Sequence, residues 1–275
     1  MTSDDWIQVR RDPATGIEVV HAHFRGHAYD PHDHDEMLVG VTLQGVQQFQ
    51  CARRTVTSTV GHAMLIEPGA VHDGHAGTEQ GFTYSMLYLP LSWVDGALAR
   101  REGKPARQAF SMFRTSLSRD PALIHAIVGT LHSFAPGGLQ LARDEALDRL
   151  IAQLAADGER LLMPAPRPAP VKLRRAQAFI EAHMAADISM DQVAHDSGMD
   201  RYALARQFRR ELGLAPHAYL VSLRLRRARE LLARGISPAD VAAQVGFADQ
   251  SHLGRWFKRA YRITPAKYLR SAQTF

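Results

Sequence analysis

Cysteine is almost missing: Cys51 is alone among 275 residues. That excludes an internal disulfide and suits a reducing cytoplasm. No neighbour pattern makes Cys51 a nucleophile, and it reads as a small buried residue or an inert thiol. Long apolar runs are missing too. None nears the roughly 18 residues that a membrane span needs, so no membrane partner is expected. The opening MTSDDWIQVRRD lacks the apolar core of a secretory signal, and a cytoplasmic protein is the expectation.

What is present is unevenly spread. Residues 172–275 hold 18 Lys and Arg against 9 Asp and Glu, a net of +9, whereas residues 1–171 hold 15 against 19, a net of −4. This suggests one domain that meets a polyanion and one with another task. Histidine lies the other way, with eight of its 14 copies between His21 and His75. Four of the 14 prolines, Pro164, Pro166, Pro168 and Pro170, fall within seven residues. Such a run favours extended polyproline II, a semi-rigid spacer, and puts a linker at 163–171.

Residues 1–90 read as β. Runs at 16–24, 37–43, 47–52, 55–60, 63–66 and 82–89 are rich in β-branched and aromatic residues. Gly, Pro and Asp punctuate them, as at Gln44-Gly45 and Glu67-Pro68-Gly69. Many short strands predict a jelly roll or small barrel, with room for one small ligand. Within it, His32 and His34 fall on one face of a strand, and His72 follows a Pro-Gly turn. Three imidazoles suit Zn, Ni or Fe. They equally suit the polar wall of an effector pocket made of His32, His34, Glu36, His72 and Tyr84.

At 91–162 the period becomes helical. Helices are expected at 93–101, 108–117, 121–134 and 139–162. The last carries a stripe of Leu147, Leu150, Ile151, Leu154 and Leu161, which either packs on its own domain or pairs with a twin in a homodimer.

Residues 172–275 contain an internal repeat. Val193-Ala194 and Gly198 recur 48 residues on as Val241-Ala242 and Gly246. The offset then becomes 49, and Leu204, Arg206, Phe208, Pro216, Tyr219 and Leu220 recur as Leu253, Arg255, Phe257, Pro265, Tyr268 and Leu269. Each copy has a supporting helix, a glycine turn and a recognition helix, at 201–211 and 250–261. Between them, 217–234 reads as a helix with Val221, Leu225, Ala228 and Leu232 on its buried face. Arg224, Arg226, Arg227 and Arg229 fall largely opposite. Exposed positions of the recognition helices are the candidate base readers: Arg201, Tyr202, Arg206 and Gln207, then Asp249, Gln250, Ser251, His252 and Arg255. Arg pairs bidentately with guanine and Gln with adenine. Arg209, Arg210, Lys258, Arg259 and Lys267 are candidate phosphate contacts, which position the protein without reading sequence.

The run Gly246-Phe247, Ser251, Leu253, Arg255, Phe257-Lys258-Arg259, Thr264-Pro265 and Tyr268-Leu269-Arg270 resembles the DNA-binding domain of the AraC/XylS family of transcriptional regulators. The N-terminal residues Gly61, Pro68-Gly69, His72, Tyr84 and Tyr88-Leu89-Pro90 resemble the cupin-like effector domain common in that family. Cupins bind a divalent metal through a His-x-His pair, a later Glu and a later His. Here the positions near that Glu, Leu38 and Val39, are apolar, and Glu36 stands closer. Arg206 and Arg255 match the family's base-contacting arginine.

The resemblance implies a multidomain α+β chain. A cupin-like barrel at 1–90 and a helical, dimerising region at 91–162 precede the linker at 163–171 and an all-α tandem helix–turn–helix domain at 172–275. It implies a homodimeric transcriptional regulator, more often an activator, with double-stranded DNA, a small-molecule effector and RNA polymerase as partners. It is not an enzyme and needs no cofactor, although a divalent transition metal on His32, His34 and His72 is chemically open. The alternatives are a metal-dependent cupin enzyme fused to DNA-binding heads, and a dimeric regulator without a ligand.

Overall fold

The structure, a computed structural model, describes residues 5–51, 54–102, 113, 115–159 and 169–273. The described residues divide into two compact units, one from the chain up to 159 and one from 169–270. The proline-rich spacer falls mostly at 160–168, outside the described residues, as does Leu161.

The first unit is built on nine strands: β1 (Trp6–Arg11), β2 (Glu18–Phe24), β3 (His27–His32), β4 (Met37–Cys51), β5 (Arg54–Thr59), β6 (Ala63–Ile66), β7 (His72–Ala76), β8 (Phe82–Leu89) and β9 (Leu117–Ser118). One layer runs β1-β2-β8-β4-β6-β9, while β3, β7 and β5 gather on the far half of β4. Every pairing is antiparallel.

The sequence suggests two strands separated by a turn at Gln44-Gly45; the structure has one strand that bends there. The β4–β8 register slips between Thr42 and Gln44, and Gly45 takes φ 72°. A Cβ on Gly45 would collide with the Gly81 carbonyl, so the close passage of the chains requires glycine. This bend lets a single strand serve both layers.

Period-2 alternation then sorts the side chains. Phe24, Tyr29, Phe82 and Tyr84 pack together, with ring centroids 5.9–6.4 Å apart. The opposite set, including Val39, Val41, Leu65, Leu87 and Leu89, lies under helices α1 (Leu91–Glu102), α2 (Pro121–Ser133) and α3 (Gln140–Glu159). Asp120 caps α2 by accepting from the Ala122 amide, with Pro121 in the first turn.

Two helical expectations change. Most of the helix expected at 108–117 lies outside the described residues, and its last residue, Leu117, is in β9, where it pairs with Met64. The stripe of α3 is used at home: Leu147, Leu150, Ile151 and Leu154 are all buried in the core shared with α2 and the sheet. That choice removes this stripe as a dimer contact. Each such side chain contributes about 1.5–3 kcal/mol of burial to its own domain.

The second unit has seven helices: α4 (Val171–Ala182), α5 (Met190–Ser197), α6 (Arg201–Leu212), α7 (Pro216–Ala233), α8 (Pro238–Val245), α9 (Gln250–Tyr261) and α10 (Pro265–Gln273). Local signals explain the boundaries. Ser189 and Gln192 form a reciprocal capping box at α5, and Ser237 caps α8 with Pro238 in its first turn. Gly198 and Gly246 end α5 and α8 in the left-handed region, at φ 64° and 85°. Leu204 and Phe208 of α6, like Leu253 and Phe257 of α9, are fully buried.

One residue departs from its expected face. Arg229 of α7 is buried, with its guanidinium over the rings of Tyr261 and Tyr268 at 5.6 and 5.8 Å. It ties α7 to α9 and α10, where a cation over aromatic faces replaces solvent.

Candidate nucleic-acid interface and effector site

The repeat places two short helix pairs, α5–α6 and α8–α9, at the two ends of α7. Two contacts fix one pair against the other. Arg224 donates from Nε to the Met184 carbonyl and from Nη2 to the Ala186 carbonyl, each at 2.8 Å. The same guanidinium lies 5.9 Å from the Phe247 ring centroid, and burial holds its pKa below the usual arginine range. Gly246, in the turn of the second pair, packs so closely that a Cβ would stand 2.5 Å from the Ala185 oxygen. Gly198, its counterpart, has nothing within 4 Å. The loop 184–186 is thus clamped between α7 and the second pair.

On α6, Arg201, Tyr202, Arg206, Arg209 and Arg210 are exposed, with Tyr202 82% exposed. A concavity of about 500 Å³ runs among Ala203, Arg206, Gln207, Arg209 and Arg210. Arg201 pairs loosely with Asp191 at 3.4 Å and Arg210 with its neighbour Glu211 at 2.7 Å. Such exposed pairs contribute little and exchange readily for phosphate. Gln207 is half-buried with its Oε1 enclosed, which limits it as a reader.

On α9, Gln250, Ser251, Arg255, Lys258 and Arg259 are exposed, and Lys267 is exposed on α10. Two candidate readers also have structural work. Asp249 is the N-cap, its carboxylate accepting from the His252 amide at 2.6 Å. His252 accepts from the Trp256 indole N–H at 3.0 Å and packs edge-on against Phe247. Asp200 caps α6 in the same way as Asp249, and the Ala203 amide it accepts from lowers its pKa. Both recognition helices therefore present their first-turn amides behind a cap, with an arginine, Arg206 or Arg255, at the same repeat position and exposed.

In the first unit, β3 and β7 pair His32 with His72, and His34 follows two residues on. The three side chains are buried, and one ligand nitrogen from each lies within 4.8 Å of the others. His32 Nδ1 sits 2.7 Å from the Asp30 carbonyl and His72 Nδ1 2.9 Å from that of Ala70. A carbonyl only accepts, so those Nδ1 atoms carry the proton and the lone pair of each neutral ring is on Nε2. Burial lowers the His72 pKa and favours that neutral form.

Tyr29 stands edge-on to His32 and His72, at 5.3 and 6.3 Å. Its hydroxyl accepts from Gln47 Nε2 at 3.0 Å and shares a hydrogen bond with Tyr84, and burial raises the pKa of both phenols. Gly74 makes room for the Tyr29 ring, since a Cβ there would reach it at 2.5–2.8 Å. Tyr88 is edge-on to His34 at 5.0 Å.

Of the candidate pocket residues, the structure brings together His32, His34 and His72 and links Tyr84 to them through Tyr29. Glu36 is half-buried and is not in the three-residue group. The strand expected to carry both His32 and His34 ends at His32, and Tyr29 escaped the sequence reading because the Ala-Tyr-Asp-Pro run ahead of His32 shows little alternation.

Elsewhere in the first unit a cavity of about 700 Å³ is bordered by Cys51, Leu65, Glu67, Ala70, Phe113 and Leu117 among others, and none of the three histidines lines it. Cys51 is the cross-strand partner of His72. The volume is within the range of small-molecule sites.

Residues 15–159 match the AraC-like ligand binding domain, and residues 193–271 match a helix-turn-helix domain. Over 249 residues the chain is 24% identical to the HTH-type transcriptional regulator YbfI of Bacillus subtilis, spanning 88% of this chain and 87% of that one. The HTH-type transcriptional activator RhaS of Escherichia coli is 35% identical over 95 residues, 34% of each chain. Among solved structures, an apo variant of ToxT from Vibrio cholerae shares the fold, with a TM-score of 0.61 at 13% identity, covering 96% of this chain and all of that one. Another ToxT structure, bound to (E)-4-(8-methylnaphthalen-1-yl)but-3-enoic acid, has a TM-score of 0.57 at 11% identity, covering 93% and 99%. These relatives are regulators, not enzymes.

Proposed function

Because the chain belongs to the AraC family of transcriptional regulators, we propose that α6 and α9 read two neighbouring major-groove segments of one operator while an effector in the barrel sets the affinity. The observation that carries this is the pair of exposed arginines, Arg206 and Arg255, at equivalent places on two capped helices clamped to one connecting helix. Arg201, Tyr202, Gln250 and Ser251 surround them as secondary readers. Arg209, Arg210, Lys258, Arg259 and Lys267 bind phosphates and supply the salt-dependent share of the affinity.

The effector domain is 1–90 with its supporting helical region 91–162, the spacer is 163–171, and the DNA-binding domain is 172–275. The effector binds at the barrel wall formed by His32, His34, Glu36, His72 and Tyr84. ToxT structures hold an unsaturated fatty acid or a naphthalenyl butenoic acid; at this identity they inform the fold, and the ligand here is set by this chain's own side chains. A small polar effector suits them. Effector binding changes DNA affinity only as far as it favours one arrangement over another.

Activation through RNA polymerase at a transport or catabolic operon, and action as a cytoplasmic homodimer, complete the reading. The dimer contact lies away from the buried α3 stripe; Leu139 and Leu141, 75% and 79% exposed, are the apolar residues at hand.

Titration of the purified chain against labelled duplex DNA at graded salt tests the core of this. Binding that weakens steeply with salt is expected; no binding at the lowest salt would refute the reading.

A further inference from the structure

We propose that His32, His34 and His72 form a site for one divalent first-row transition ion, and that the ion is the anchor through which the barrel takes up its effector. The second clause rests on reading the barrel as the effector domain; the first stands on geometry alone.

Three observations carry it. The three imidazoles come from two paired strands and the turn that follows one of them, so the fold and not a flexible loop brings them together. Their candidate ligand nitrogens all lie within 4.8 Å of one another. Metal bonds of about 2.0–2.1 Å put nitrogen pairs of a tetrahedral site about 3.4 Å apart. Closure from the present spread asks for movements of the order of an ångström. The ring planes are inclined at 37–82° and are not stacked.

The third observation is the fixing of the tautomer. His32 and His72 each direct Nδ1 to a backbone carbonyl. This outer contact is the one that metal-binding histidines use to orient the ring and raise the basicity of Nε2.

Three imidazoles, with Glu36 outside the group, leave a tetrahedral ion with one position for an outside donor. That position is where an effector oxygen or nitrogen would bind the ion. The all-nitrogen donor set selects Zn, Ni, Co or Fe over Mg or Ca.

The test uses the full chain, stripped with chelator and titrated with cobalt(II) alone. The expected result is tetrahedral visible absorption bands saturating at one ion per chain, displaced by zinc(II). His72→Ala and His34→Gln should each weaken binding by more than about a hundredfold, beyond the 10–100-fold cost of an outer-shell change. His62→Ala, which removes a histidine bonded instead to Thr59 and Arg119, should leave the bands unchanged. A variant that does not fold is replaced by the other, with circular dichroism as the check.

Absence of bands in the folded chain, or bands that survive both cluster substitutions, overturns the site. DNA titrations with and without zinc then address the second clause: a change in specific affinity of tenfold or more supports it, and identical curves overturn it. Loss of DNA binding in both metal-free and metal-loaded chains would instead refute the regulator reading and leave the metal site untouched.

Discussion

Alanine at Gly198 and at Gly246 makes the same chemical change at equivalent positions of the repeat, yet the surroundings differ. Both glycines have positive φ, so either substitution forces an L residue into the left-handed region, at a cost of roughly 1–2 kcal/mol. At Gly198 nothing stands within 4 Å of the new methyl, and that strain is the whole cost. At Gly246 the methyl meets backbone atoms of Ala185 at 2.5–2.9 Å, and a backbone cannot rotate aside as a side chain does. Displacement of the 184–186 loop adds about 1–3 kcal/mol, the usual range for overpacking. Gly246→Ala should therefore destabilise the second unit by about 2–5 kcal/mol in all, and Gly198→Ala by about 1–2.

Hydrogen exchange resolved to peptides of 171–273 in the full chain reads this directly. Protection should fall further, and around 184–186 first, in Gly246→Ala. The loop is also the bridge between the two helix pairs, so specific DNA affinity should drop more than affinity for random DNA. Equal losses for the two variants, or a neutral Gly246→Ala, would refute the clamp.

Three other substitutions separate roles that look alike on the surface. Arg255→Ala and Arg206→Ala should each cost about 1–3 kcal/mol of specific binding and relax preference at one position, with affinity for random DNA nearly unchanged, as competition titrations would show. Lys258→Ala should weaken all sequences alike and reduce the slope of log affinity against log salt by about 0.9. Asp249→Ala should lower stability by about 1 kcal/mol in thermal or urea melts whereas Asp249→Asn should not, because Asn caps as well as Asp; an equal effect of both on sequence preference would make Asp249 a base reader after all. Asp200 supplies the pH test: its pKa is lowered in the folded chain, so its contribution is present above the ordinary carboxylate pKa and is lost as pH falls through the folded value. Asp200→Asn should flatten that acid limb of the stability curve.

The DNA-binding half was legible because its signals are local. The repeat, the glycine turns and the Leu204–Phe208 and Leu253–Phe257 pairs set the helix boundaries, and the expected 250–261 helix is α9 as observed. What stayed hidden there was tertiary. Nothing in the run of arginines on α7 tells that Arg229 turns inward to Tyr261 and Tyr268 while its neighbours do not. The half-burial of Gln207 and the Trp256 bond that engages His252 were equally out of reach.

In the barrel, β6 and β8 were read with their full extent, since uninterrupted β-formers bounded by turn residues mark them. Strands β1, β7 and β9 and most of β3 were missed; β1, β3 and β7 are polar or carry Pro31 or Gly74 and are held by their partners more than by propensity. The histidine group was read by spacing, but Tyr29, which connects it to Tyr84, belongs to one of those missed strands. The α3 stripe was visible, yet a stripe states only that something covers it; the cover proved to be α2 and the sheet.

Selection of duplex DNA from a random pool by the purified full chain tests the central claim most directly. Two rigidly joined recognition helices predict a bipartite consensus, its two blocks centred about 10–10.5 base pairs apart, one block lost with Arg206→Ala and the other with Arg255→Ala. Recovery of no common sequence, or of one undivided block that both variants erode alike, would contradict the two-headed reading.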